Sequence, residues 1–158
     1  MARFDMSGAE EMIRAMQRMA EDAGPAAEAV LQAGAEGVKR AWQEAAEAHD
    51  LRDTGDMIDS IGFSRKPKDA GDGLYIDIYP QGVDRKGVRN ATKAFVLHYG
   101  TSKMHATRWV DDADKRSERY AIPAMNATWD EFISTGKVPK VALTPNNAGR
   151  GGLRTTKN

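Results

Sequence analysis

Large apolar residues recur through the first third of the chain at intervals of three, four and seven, the spacing of one face of an α-helix. Met12, Ile13, Met16 and Met19 begin the series, and Ser7 with Glu10 three residues on has the spacing of a capping box, so a helix is expected over residues 7–22. Gly24-Pro25 is expected to stop it, with a second helix starting near Pro25, since proline fits a first helical turn where its missing N–H would have had no partner. In that second helix Leu31, Gly34, Val38, Ala41, Trp42, Ala45 and His49 share a face, while Glu28, Glu36, Lys39, Glu44 and Glu47 fall largely elsewhere. Gly34 and Gly37 each cost a helix interior roughly 1 kcal/mol relative to alanine. They also slim the stripe, which suits close approach of a helix or sheet and equally a subunit contact; the spacing does not separate the two.

Residues 50–56 are polar and are interrupted by Gly55, after which Met57, Ile58 and Ile61 lead into Gly62-Phe63-Ser64-Arg65. A short helical turn running into a strand is expected. Residues 66–73 read as a turn and residues 74–80 alternate as a strand does, so the two strands should form an antiparallel hairpin. Residues 81–90 read as an exposed loop, and the apolar run 94–99 is too short to assign to helix or strand. From Trp109 the helical period returns through Tyr120, Ile122, Ala124, Met125, Trp129, Phe132 and Ile133, with Pro123 expected to break the segment or start its second piece. Beyond Thr135, Pro139, Pro145, Gly149, Gly151 and Gly152 leave no core-forming period, which implies an extended arm. The fold class expected is α+β: a long alanine-rich helix packed on a small antiparallel sheet, with C-terminal helices and an extended basic C-terminal arm. The divisions are an N-terminal helical segment over 1–24, a core domain over 25–134 and the arm over 135–158.

A length of 158 residues suits one core with appendages. The chain has no cysteine, which excludes disulfides, thiolate metal sites and a cysteine nucleophile, and suits synthesis in a reducing cytoplasm. No apolar run is long enough for a membrane span and no signal core follows the first residues, so the expectation is a soluble chain without an export signal or membrane partner. The 23 basic and 23 acidic residues balance, but unevenly along the chain. After Glu131 no acid remains while Lys137, Lys140, Arg150, Arg154 and Lys157 do, so a basic arm of +5 follows a body of −5.

Several short motifs suggest chemistry. Asp53-Thr54-Gly55 is the tripeptide carrying the catalytic aspartate of aspartic proteases, but that chemistry needs two such aspartates sharing a proton, each in a turn after an apolar strand. Here His49-Asp50-Leu51-Arg52 at a helix end precedes it. His49, His98 and His105 could join Asp50, Asp53 or Asp111 and Asp112 on a metal, yet no histidine pair has the i, i+4 spacing of a helix-borne zinc site. Gly100-Thr101-Ser102-Lys103 lacks the earlier glycine of a phosphate loop and reads as a turn, with Gly100 free to take positive φ. The basic arm could touch phosphates, making a nucleic-acid-binding accessory protein the leading alternative function, but it lacks interleaved aromatics. No cofactor, metal or catalytic residue is assigned.

In order along the chain stand an alanine-rich helix, Asp53-Thr54-Gly55-Asp56-Met57-Ile58-Asp59-Ser60-Ile61, a hairpin, Phe95-Val96-Leu97-His98-Tyr99-Gly100-Thr101-Ser102-Lys103-Met104, and Pro123-Ala124 before a last helix. Over residues 25–133 this series resembles the tail-component family of long-tailed bacteriophages, whose members are neck, head-tail joining or tail-completion proteins. It departs from the family pattern at residues 111–120, a charged run read as an inserted or extended helix. The resemblance implies a non-enzymatic virion subunit repeating as a six-fold ring between the head-closure or adaptor proteins and the tail terminator or tail tube. DNA would pass through the lumen without sequence-specific binding. On this reading Asp53, Thr54, Gly55 and Ser60 fix the turn between helix and sheet, Tyr99, Gly100, Thr101, Ser102 and Lys103 form a loop at a subunit or partner surface, and Lys137, Lys140, Arg150 and Arg154 make arm contacts.

Overall fold

The computed structural model describes residues 7–146, with side chains from residue 10 onward. Among the described residues four helices and four short strands follow in the order α1 (Ser7–Ala48), α2 (Asp56–Asp59), β1 (Ile61–Phe63), β2 (Lys68–Asp69), β3 (Leu74–Tyr75), β4 (Ile78–Pro80), α3 (Asn90–Tyr99) and α4 (Trp109–Thr135). The class is α+β: a long first helix, a small antiparallel β region and C-terminal helices.

Both prolines expected to interrupt helices sit inside continuous ones. Pro25 lies within the 42 residues of α1 and Pro123 within the 27 of α4. An internal proline loses one backbone hydrogen bond and crowds the carbonyl four residues back. Both prolines are exposed, so each lies on a side of its helix where water can reach the backbone, and alanine-rich sequence on either side continues the helix.

The helices α1 and α4 run antiparallel and form the main layer of the molecule. The small residues of α1 are what lets them touch: a Cβ on Gly37 would stand 2.8 Å from the backbone of Tyr120 and Ala121, and one on Gly34 would stand 2.8 Å from the Met125 sulfur. The slim stripe is therefore filled by a helix of the same chain. Tyr120 donates its hydroxyl proton to Glu44 at 2.7 Å across this seam, and Arg40 lies over the Tyr120 ring.

At the other end of α1 the core gathers around Trp109, which is fully buried. Its indole meets Trp42 edge to face with centroids 5.4 Å apart and donates to the Ala94 carbonyl at 3.3 Å. Ala45, Ala46, Met57, Ile58, Ile61, Ala94 and Ala113 close around it. The hairpin is present, but in two ladders: β1 pairs with β4 (Ile61↔Pro80, Phe63↔Ile78) and β2 with β3 (Lys68↔Tyr75). The segment 66–73 thus carries a strand as well as the turn. The run 94–99 is helical, within α3.

Candidate functional site

The end of α1 determines where the 53–60 turn lies. Leu51 N–H bonds the Ala46 carbonyl at 3.0 Å and Asp50 N–H the Glu47 carbonyl at 2.9 Å, the two bonds of a Schellman cap. Asp50 takes the left-handed conformation there, φ 55°, where glycine is usual. The chain then turns at Gly55, φ 85°, where a Cβ would meet the Arg52 guanidinium at 2.5 Å. The Thr54 hydroxyl donates to Asp56 at 2.9 Å, and Ser60, fully buried, donates to the Met57 carbonyl at 2.7 Å. Asp53 is exposed.

A cavity of about 390 Å³ lies between this turn and α3. Leu51, Met57, Ile58, Val96 and Leu97 give it apolar walls, and Asp53, Thr54 and Gly55 line it too. Among its charged neighbours Asp56, Arg52 and Lys93 are engaged, Lys93 with Asp84. The Thr54 hydroxyl first, and then Arg85, hold the Asp56 carboxyl below the usual carboxylate range. Arg52 pairs with Glu47 and, at 3.1 Å, with Asp59. Such a cavity can receive an apolar side chain. The Asp-Thr-Gly tripeptide stands in a bend after a helix, not after the apolar strand that proton-sharing aspartates require.

The second candidate surface begins where α3 ends. Gly100 takes φ 75°, and a Cβ there would come within 2.5 Å of the Met104 carbonyl, so only glycine allows the turn that follows. That turn is closed by Thr101 N–H to the Met104 carbonyl at 2.8 Å and by Lys103 N–H to the Thr101 hydroxyl at 3.2 Å. Thr101, Ser102 and Lys103 are exposed, and Tyr99 stands half out of the surface beside Phe95, with ring centroids 4.6 Å apart. Residues 99–103 do not line the cavity. The two groups share only α3, which turns Val96 and Leu97 to the cavity and Phe95 and Tyr99 outward.

Residues 137–146 form neither helix nor strand and run back over α1. Thr144 N–H and hydroxyl both reach the Glu36 carboxylate, at 2.8 Å each. The Lys39 ammonium donates to the Thr144 hydroxyl at 2.9 Å and the Pro145 carbonyl at 3.0 Å, and Asn146 donates to the Phe63 carbonyl at 2.5 Å. Lys137 and Lys140 are exposed along this strap; Arg150 and Arg154 lie outside the described residues.

Three side chains organise the structure in roles that the sequence did not reveal. Lys39, expected on a polar face, is buried beneath the strap. His98 is buried and accepts the Val110 N–H on Nδ1 at 3.3 Å, so it caps α4, whose own N-cap residue Arg108 makes no side-chain cap bond. Asp84 accepts the N–H groups of Lys86 and Val88 at 2.8 Å each and pairs with Lys93, which holds its carboxyl below the usual range and orders the 81–90 loop. Only Asp84 left a local signal, an aspartate three residues before Gly87 in a polar stretch.

The family described as "Bacteriophage HK97-gp10, putative tail-component" matches residues 10–94, more than half of the chain. The matched span and the resemblance read over 25–133 share residues 25–94; the match adds residues 10–24 of α1 and ends before His98. No curated protein and no solved structure matches the chain. Among the described residues no helix is long and apolar enough to cross a membrane.

Proposed function

The chain belongs to the HK97-gp10-like tail-component family of bacteriophages, and from that membership we propose that this structural tail component works in the neck. There its copies repeat as a ring between the head-closure or adaptor proteins and the tail terminator or tube, around a lumen through which DNA passes. Its work is mechanical: it closes the joint and matches the rings above and below. Heterologous contacts, one patch on a subunit meeting a different patch on the next, close such rings.

The observation that carries this reading is that large apolar side chains stand exposed on three different helices of a single copy. Met12, Ile13 and Met16 stand on α1, Phe95 and Tyr99 on α3, and Ile122, Trp129 and Ile133 on α4. Exposed apolar sets on several helices suit a subunit that touches more than one neighbour. The acidic body and basic last segment add a charge pairing between copies, with Arg150 and Arg154 of one reaching the body of another. The 99–103 turn, with the aromatic pair beside it, is then a surface toward a ring above or below.

An image reconstruction of the particle tests this. Density for the chain as a ring between portal and tail is the expected result; density in the capsid shell, at the tail tip or nowhere in the particle overturns it.

A further inference from the structure

The two long helices end at different places. Along their antiparallel seam Gly37 faces Ala121 and Gly34 faces Met125. Met19 lies near Gly136, just past the last residue of α4, and there the chain reverses so that Thr144 binds Glu36 and Lys39. The first twelve residues of α1 therefore project past the end of α4, about 18 Å of helix at 1.5 Å per residue. Met12, Met16, Met19, Ala23, Ala27, Val30 and Gly34 follow one another at intervals of three or four, so the projecting methionines continue the face that α4 covers lower down. Glu10, Glu11, Arg14, Arg18, Glu21 and Asp22 lie on the opposite face. Met12, Ile13 and Met16 are 58%, 52% and 59% exposed, an apolar stripe with a charged back and, among the described residues, no partner that covers it.

Where this stripe meets α4, the molecule carries an open apolar groove of about 360 Å³, lined by Ala27, Val30 and Leu31 of α1, Leu74 of β3, and Met125 and Trp129 of α4. Ile133, one turn further along α4, is 52% exposed. We propose that the projecting end of α1 in one copy seats Met12, Ile13 and Met16 in the Ala27–Trp129 groove of the next copy, and that this is a contact by which copies join head to tail. It rests on the reading that copies of the chain work side by side.

Area supports a second copy as the occupant. At about 100 Å² for each half-exposed large side chain, Met12, Ile13, Met16, Leu74, Trp129 and Ile133 would together lose on the order of 600 Å² of apolar surface. With the polar rim that accompanies such a patch, the contact comes to roughly 1,000 Å², the lower bound of a specific interface. One contact of that size holds weakly. A ring, in which each copy gives its helix to one neighbour and its groove to the other, closes many at once.

The absence of cysteine makes the contact testable by cross-linking. Purified full-length chains carrying Met16→Cys and Leu74→Cys are mixed under mild oxidation, with Arg18→Cys on the charged back face paired with Leu74→Cys as the baseline. The mixed Met16–Leu74 disulfide is expected to form at least about 10-fold faster than the baseline pair and than either homodimer. Adding Met12→Glu and Ile13→Glu to the Met16→Cys chain should remove the excess, with circular dichroism showing helix content unchanged. A mixed disulfide no faster than baseline overturns the proposal, as does preferential Met16→Cys homodimer, which would mean that two projecting ends pair with each other. If the cross-link fails while the particle still shows a ring of this chain in its neck, the ring is held through another surface and the neck reading stands; the wrong place in the particle removes that reading whatever the cross-link shows.

Discussion

The two ends of α1 carry the same pattern and meet opposite fates. From Ala26 to Ala46 the apolar face is buried under α4, α2 and the sheet, with Ala26, Ala41, Ala45 and Ala46 fully enclosed. From Met12 to Met16 larger and more apolar side chains on the same face are more than half exposed. The residues that bury are mostly alanine and glycine and those that project are methionine and isoleucine, the reverse of what hydrophobicity alone would assign. Close helix packing needs slim residues, because side-chain size sets how near two axes can come. A stripe held for a partner outside the chain is free to carry bulk, and methionine adapts its shape to such a surface.

The contrast can be broken at the buried end first. Trp109→Ala should lose about 4 kcal/mol, since it empties the site where α1, α3 and α4 meet. Urea unfolding monitored by far-UV circular dichroism measures it, and a loss under 1 kcal/mol would mean the enclosure described is not the core. Gly37→Val should cost about 3 kcal/mol, because the added carbons meet the backbone of α4, which cannot step aside without parting the seam.

Smaller effects sharpen the same contrast. Gly100→Ala, away from both ends of α1, should cost about 2 kcal/mol through its positive φ and the Met104 carbonyl. Glu44, on the covered end, is held below the ordinary glutamate value of 4.5 by the Tyr120 hydroxyl and then by Arg40. A carboxylate depressed by folding contributes stability that is present above its unfolded value and disappears as pH falls through its folded one. Wild-type stability should therefore fall as the solution is acidified below about 4.5, and Glu44→Gln should flatten that part of the profile. The smallest effect belongs to the projecting end: Met12→Asp with Met16→Asp should leave the unfolding free energy of the isolated chain within about 0.5 kcal/mol of wild type. A large loss there would show that the stripe packs within its own chain.

Much of this organisation was legible in the residues. The helical periods before His49 and after Trp109, the hairpin around residues 66–73, the turn at Gly55 and the positive φ of Gly100 each follow from spacing or from a conformational preference confined to a few positions. Family membership was legible too, from short motifs in order. The two prolines misled because the rule that proline ends a helix counts one lost hydrogen bond and one clash and omits the contacts of the helix on either side. His98 as the cap of α4 and Lys39 beneath the strap left no local trace, since their partners lie 12 and 105 residues away.

Sequence alone determined which faces of this protein are apolar, because periodicity is a property of one helix by itself. Which parts of those faces are covered was decided only by the tertiary structure, because coverage depends on where a second helix begins and ends. Here α4 stops opposite Met19, and among the described residues nothing covers Met12, Ile13 and Met16 beyond it.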